Sequence, residues 1–373
     1  MKRILIFSVA YIPFIGGAEI AVKEITDRID DVDFDMITLN LDGKQKPQEK
    51  IGKVMVYRIG STGKFSKFVF PFTAARLATR LHKDRSYVAI WSIMASFGGF
   101  AGLFFKERFP EVPFLLTLQE GDPLDEIKRK VRFVWPLFKK IFTKADRIQT
   151  ISTYLAGFAH DMHATAPVTV IPNGVALDLF SKPADENFVA TLHKKWNVEA
   201  GDTVLITTSR LVEKNAVDDI IAALLLLPKT TKLIIVGIGP LESNLRNQVT
   251  TLGLTDRVFF EGFVHYSNIP NYLAASTIFI RPSRSEGMGN SFIEAMAAGI
   301  PVIATRVGGI PDFLTDGETG LFCEVNNPQS IQETVEKLTV DQTLRTHLIQ
   351  TARERVQDFD WAKIARRMHD EFL

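Results

Sequence analysis

The sequence of 373 residues holds a single cysteine, Cys323. One thiol excludes an internal disulfide and any zinc site built on paired cysteines, and it fits a reducing compartment. Histidine is also sparse, at seven residues; His160 and His163 in HDMH read as the polar end of a short helix, not as a ligand pair. No stretch approaches the ~18 uninterrupted apolar residues of a membrane span. The start, MKRILIFSVAYIPFIGG, imitates a signal peptide, but Pro13 and the helix-forming AEIAVKEITDRI continue a strand, loop and helix. The expectation is therefore a cytoplasmic protein.

Low complexity is absent too. With 46% hydrophobic and 23% charged residues the composition is that of a folded globular chain. The net charge of +1 conceals an asymmetry: residues 1–180 carry 25 Lys and Arg against 19 Asp and Glu, the remainder 19 against 24. No nucleic-acid partner is expected. The length exceeds one ordinary core and suits two domains.

Short β-branched runs alternate with amphipathic stretches, the pattern of parallel sheets covered by helices. RILIFSV, FDMITLN, KVMVYRI, VAIWS, PFLLTLQ, RIQTIS and VTVIPNG are strands of a first series; TVLITTSR, KLIIVGIG, VFFEGFV, TIFIRPS and PVIATRVGG form a second. Two complete series predict an α/β protein of two Rossmann-like domains. The boundary falls after VIPNGV, where Pro172, Asn173 and Gly174 lead into an irregular, polar ALDLFSKPADEN read as a linker. The expected domains are 1–175 and 176–359. The closing helix, about 360–373, has helical spacing at Trp361, Ile364, Ala365 and Met368 and is expected to pack back on the first domain.

Four features carry chemistry. Gly16 and Gly17, ahead of Glu19, stand between the first strand and helix, where a phosphate or substrate could approach the backbone. Arg210 and Lys214 in TTSRLVEKN follow the first strand of the second domain and suit a diphosphate leaving group. Gly237 and Gly239 in LIIVGIGPLESNL follow an apolar strand, at the end where open parallel sheets hold ligands. In RPSRSEGMGNSFIEAMAAGIPVIATRVGGIPDFL, Glu286 lies in a glycine-rich loop and Glu294 on the helix that begins near Asn290. Gly287 and Gly289 let that loop fold closely over a ligand, and two carboxylates that accept hydroxyl hydrogen bonds suit a ribose and a hexose.

Together these segments resemble the family 4 glycosyltransferases, whose donor domains carry two glutamates separated by seven residues, then a helix and strand like EAMAAGIPVIAT and a GG-x-P turn. The likeness runs over nearly the whole chain, and the glutamate pair is its specific part. It implies the GT-B fold, two Rossmann-like domains facing a central cleft, the first binding acceptor and the second a nucleoside-diphosphate sugar. It also implies retention at the anomeric carbon, with no metal and no cofactor. By motif match Glu286 holds the sugar hydroxyls, Glu294 the ribose, and Arg210 with Lys214 the diphosphate, aided by backbone amides near Met288, Gly289 and Asn290. Glu286 is then a positioning group and not a covalent nucleophile. The expected acceptor is a glycan or lipid-linked saccharide, in cell-surface polysaccharide or glycolipid synthesis.

The chain departs from the family twice. The family's lysine commonly stands five residues after the arginine, where this sequence has Asn215. Where many members have T-x-H, it reads LTLQEGDP, placing Gln119, Glu120 and Asp122 there; Glu120 or Asp122 then orients the acceptor hydroxyl or activates it as a base.

Residues 128–147 hold eight basic residues interleaved with Phe133, Trp135, Phe138 and Phe142, and GKFSKFVFPF adds Phe65, Phe68, Phe70 and Phe72 beside Lys64 and Lys67. Such segments suit either core packing or an anionic membrane face, which would place the protein peripherally on the inner membrane surface. A dehydrogenase would need G-x-G-x-x-G with an acidic residue ~20 positions on, and neither half has that pair. A non-catalytic sugar-binding protein would be exported. A sugar-nucleotide epimerase of the same fold stays open. Asp31, Asp33 and Asp35 match the metal-binding Asp-x-Asp spacing of another transferase class, but precede an early strand, and no metal is expected.

Overall fold

Apolar, β-branched runs such as RILIF and TVLITT have no polar face to offer water, so each becomes a strand buried on both sides. The computed structural model describes residues 1–14, 16–63 and 65–372. Lys64, one of the cations read beside the phenylalanines, lies outside the described residues. By internal contacts the chain divides into two units, Met1–Gly174 with Trp361–Leu373, and Val175–Asp360.

The first unit holds strands β1 (Lys2–Phe7), β2 (Val32–Leu39), β3 (Gln48–Ile51), β4 (Val54–Ile59), β5 (Ala89–Ile93), β6 (Phe114–Leu118), β7 (Arg147–Thr150) and β8 (Val168–Val170). Their order is β3-β4-β2-β1-β5-β6-β7-β8, parallel except for the β3–β4 hairpin. The helices are α1 (Gly17–Thr26), α2 (Phe65–Arg85), α3 (Phe97–Arg108), α4 (Leu124–Lys130), α5 (Trp135–Lys144) and α6 (Thr153–Asp161). The moves β4 to β5 to β6 to β7 run one way across the sheet, so right-handed crossovers put α2, α3 and α5 on one face; β1 to β2 runs the other way and puts α1 on the opposite face. Ile4, Leu5, Ile6 and Phe7 are sealed between the two helical layers.

The second unit holds the helices α7 (Leu177–Phe180) and α8 (Glu186–Lys195), then β9 (Thr203–Thr208), α9 (Val217–Ala223), β10 (Thr231–Val236), α10 (Glu242–Thr251), β11 (Val258–Gly262), α11 (Ile269–Ala274), β12 (Ile278–Arg281), α12 (Asn290–Ala298), β13 (Val302–Thr305), β14 (Leu321–Cys323), α13 (Pro328–Val340) and α14 (Gln342–Arg355). Its sheet, β11-β10-β9-β12-β13-β14, is parallel throughout. Leu205, Leu233, Ile280 and Ile303 meet Ile220, Ile221, Ile331 and Val335 in its core.

Helix α15 (Trp361–Phe372) returns to the first unit and packs beside α1. Its buried residues Trp361, Ile364, Ala365, Met368 and Phe372 make one stripe. The Phe372 ring meets Phe34 at 6.0 Å and Trp91 at 4.9 Å, while Arg147 and Arg367 donate to the carbonyls of Asp370 and Val170.

Three readings change. The expected irregular linker contains α7, because Phe180 is buried against the Tyr266 ring and Asp185 caps α8 through the amides of Asn187 and Phe188. Residues 128–147, read as one basic and aromatic segment, are divided among the end of α4, a turn and α5, with Pro136 in the first turn of α5, where its missing N–H costs nothing. Strands β3 and β14 appear where none was expected, the first a polar edge and the second only three residues long.

Each sheet reverses its winding once, β1 beside β5 in the first unit and β9 beside β12 in the second. At such a point neighbouring loops leave in opposite directions and open a crevice at the carboxyl ends of the strands. These two places hold most of the residues singled out in the sequence.

Candidate active site

Strand β12 ends on Arg281, and the chain then loops through Glu286 into α12. The Arg281 side chain is folded underneath that loop. Its Nη2 donates to Glu286 Oε2 and its Nη1 to Ser291 Oγ, each at 2.7 Å, and its guanidinium lies 4.2 Å from the Phe292 ring centre. Glu286 Oε1 takes the backbone N–H of Gly287 at 3.0 Å. Glycine is required at 289, where φ is +93° and a Cβ would stand 2.5 Å from Arg281 Nη2 and 2.6 Å from the Phe292 ring. Met288 is buried, and Asn290 and Ser291 open α12, whose N-terminus has no side-chain cap.

Arg281 is the residue that sequence reasoning missed. Burial lowers its pKa, while the charges of Glu286 and Glu294 oppose that shift. Burial likewise pushes the Glu294 carboxyl up to about 7, against a hydrogen bond from Tyr266 and the attraction of Arg281. One guanidinium therefore acts on both glutamates of the spaced pair. The only sequence signal was an arginine ending an otherwise apolar strand, FIR.

The GG-x-P turn closes over the same loop. The Gly309 N–H reaches the Glu286 carbonyl at 3.3 Å, and at Gly308, with φ +54°, a Cβ would stand 1.7 Å from that oxygen.

Beside it, β9 runs into Ser209 and Arg210. Arg210 is exposed and Lys214 half-buried. Asn215, at the fifth position after Arg210, turns inward and its amide donates to the Arg210 carbonyl at 2.7 Å, so Asn215 closes the loop. The backbone N–H of Arg284 ties to the Lys214 carbonyl at 2.7 Å, joining this loop to that of Glu286. Gly237 and Gly239 make room for this loop and not for open space: a Cβ on either would stand 1.9 Å from the Ser209 carbonyl oxygen or 2.4 Å from that of Leu211. The hydroxyls of Thr208, Ser209 and Ser283 are buried at these strand ends with no hydrogen-bond partner among the described residues. Buried polar atoms without partners mark a place for water or ligand.

In the first unit, Gly17 opens α1 and Gly16 precedes it in extended backbone, with the Glu19 carboxylate 2.6 Å from where a Gly16 Cβ would be. Glu120 follows β6. Its Oε1 accepts the Ala95 N–H at 2.6 Å, aimed by Met94 in the left-handed region at φ +67°; its Oε2 is buried and unpartnered among the described residues. Burial holds this carboxyl at about 7, the backbone hydrogen bonds opposing it. Asp122 differs: it lies 3.5 Å from Lys130 Nζ. Gln119 accepts from the Asn173 amide at 3.2 Å.

The Asp-x-Asp spacing dissolves. Asp31 meets His369, Asp33 pairs with Arg3 at 2.6 Å, and buried Asp35 holds Arg85 and the Tyr87 hydroxyl.

Two Rossmann-like α/β units, each built on a largely parallel sheet and the second with a buried Arg and Glu pair at its switch point, define a fold of the GT-B type. The sucrose-phosphate synthase structure from Thermosynechococcus elongatus has this fold, with TM-score 0.86 at 22% identity over 100% of this chain and 98% of that one. Residues 189–355 match the family of glycosyl transferases group 1, and residues 16–174 the glycosyl transferase 4-like domain. The chain belongs to the family 4 type of glycosyltransferases and is an enzyme of that class. An uncharacterized glycosyltransferase of Methanocaldococcus jannaschii is 27% identical over 97% of this chain and 95% of its own length. The GDP-mannose-dependent alpha-(1-6)-phosphatidylinositol monomannoside mannosyltransferase of Mycobacterium tuberculosis is 30% identical over 63% of each chain. No helix of the described residues is long and apolar enough to cross a membrane.

Proposed function

We propose that this glycosyltransferase moves a hexosyl group from a nucleoside-diphosphate sugar to a glycan or lipid-linked saccharide, with retention at the anomeric carbon and without metal or cofactor. One observation carries the reading: Arg281 holds Glu286 at the switch point of the second unit, beside Glu294 and the unpartnered Ser209 and Ser283 hydroxyls. Polar groups of this kind suit a sugar and a ribose. Arg210 and Lys214 are the cations that would receive the diphosphate as the bond to the anomeric carbon breaks. Gly287, Met288, Gly289 and Asn290 would offer amides at the start of α12. The acceptor oxygen bonds to the face the diphosphate leaves, and its proton passes to a departing phosphate oxygen. Glu286 positions the sugar. Glu120, held by Ala95 with one free oxygen, would orient the acceptor hydroxyl on the first unit; Asp122, tied to Lys130, is the weaker candidate. The lipid-linked acceptor is supported by the mannosyltransferase relative, which its name assigns to a phosphatidylinositol monomannoside; a peripheral place on the inner membrane face would go with such an acceptor.

The test is a thermal-shift panel of UDP, GDP, ADP, NAD and the sugar conjugates, without added metal. A ligand at 100 times its Kd stabilises by about 2.7 kcal/mol. Stabilisation by one nucleoside diphosphate and its sugar, lost with turnover in Glu286→Ala, is the expected result. Stabilisation by NAD alone, or full turnover in Glu286→Ala, would overturn it.

A further inference from the structure

We infer that the face built by α2, α3 and the start of α5 is a docking surface for anionic lipid, an inference that rests on the lipid-linked reading of the acceptor. Phe65, Phe68 and Phe72 of α2 are 82%, 65% and 64% exposed, and Phe133, just before α5, is 84% exposed. A soluble core would have drawn such rings inward, as it does Phe70 and Phe138.

The two aromatic groups are one surface. Phe97, Phe100 and Phe104 recur at helical spacing along α3 and are each half-buried. Phe97 meets Phe68 at 5.5 Å and Phe104 stacks on Phe72 at 4.9 Å, while Phe100 meets Phe138, which stacks on Trp135. The stripe of α3 therefore bridges α2 to α5.

Around the rings its charge is basic, the acids Asp84 and Glu107 standing only at the far ends of α2 and α3. The segments 65–80, 97–106 and 131–144 contain Lys and Arg but neither Asp nor Glu. Lys139 lies 5.6 Å from the Trp135 ring centre and Arg132 4.5 Å from that of Phe133, which sets cations beside the rings. Lys140 and Lys106 serve the fold instead, pairing with Glu107 at 3.5 Å and Asp146 at 2.7 Å. On α4, likewise, Lys128 and Lys130 are engaged by Asp125, Asp122 and Glu126. Exposed rings flanked by cations match an anionic headgroup layer over acyl chains, with the helices lying on the membrane and not through it. The surface also adjoins the acceptor end of the unit: Phe97 stands two residues after Ala95, whose N–H holds Glu120.

The experiment is co-sedimentation with vesicles of phosphatidylcholine alone or mixed with phosphatidylglycerol, with no donor or acceptor present. Wild type should pellet with the mixed vesicles only. Phe65→Ser/Phe68→Ser/Phe133→Ser should weaken this at least about 100-fold, and Lys67→Ser or Arg132→Ser about 5-fold each. The triple variant should melt like wild type and keep its turnover on a water-soluble acceptor. Protein that ignores both vesicles, or a triple variant that binds as well as wild type, would overturn the inference. Concentration-dependent dimerisation abolished by the triple variant would instead assign the face to a second copy. Vesicle binding without any transferase activity would overturn the proposed function and leave the surface standing.

Discussion

Arg281 Nη2 lies 2.7 Å from Glu286 Oε2, with the two side chains only 6% and 12% exposed. A buried ion pair is a weak source of net stability, but removing one partner strands the other charge, at about 3–5 kcal/mol. Arg281→Met should therefore lower the melting temperature sharply, and adding Glu286→Gln should restore part of the loss. A double-mutant cycle by thermal denaturation measures the coupling. Additive effects would show that Arg281 does not hold Glu286.

Gly308 and Gly317 both have positive φ, but only Gly308 faces the Glu286 carbonyl; a Cβ added at Gly317 would meet no atom within 4 Å. Gly317→Ala should cost about 1–2 kcal/mol of backbone strain and leave turnover intact. Gly308→Ala should cost more and reduce turnover at least about tenfold by displacing the Glu286 loop. Equal stability losses and equal kcat/KM in the two variants would remove the turn from the site.

Glu120 and Glu294 are both held near 7, above the ordinary range of a glutamate. A raised native pKa means that the folded protein binds the proton more tightly than the unfolded chain. The stabilisation is thus complete below about pH 4 and is lost as pH rises through 7. Between pH 5 and 8, wild type should lose up to about 3 kcal/mol at each site, and Glu120→Gln should flatten its share. Urea denaturation at the two pH values reads this; the same slope in wild type and Glu120→Gln would exclude Glu120 as the titrating group.

Arg210→Ala and Lys214→Ala should each weaken binding of the free nucleoside diphosphate about tenfold or more, since a hydrogen bond to a charged group is worth about 1.5–3 kcal/mol. Calorimetric titration decides. Unchanged affinity in both would move the diphosphate away from this loop.

Much of the fold was legible because strands such as Ile4–Phe7 are apolar on both faces and bounded by turns. Gln48–Ile51 was not, since QEKI is a polar edge that only its partner β4 makes a strand. Glu286 and Glu294 were legible from their spacing within a glycine-rich loop and helix. Arg281 was not, because its role comes from lying beneath a loop that begins after it. Phe70 and Phe72 look alike in sequence, and only packing of α2 on α3 separates the buried ring from the exposed one.

Helix α15 gives the first unit a piece that follows the whole of the second in the chain. Phe372 packs its ring against Phe34 and Trp91 of that unit. A chain emerging from the ribosome normally completes its domains from the N-terminus onward. Here the order is inverted: Val175–Asp360 can be finished while the unit begun first still waits for its last helix to be synthesised.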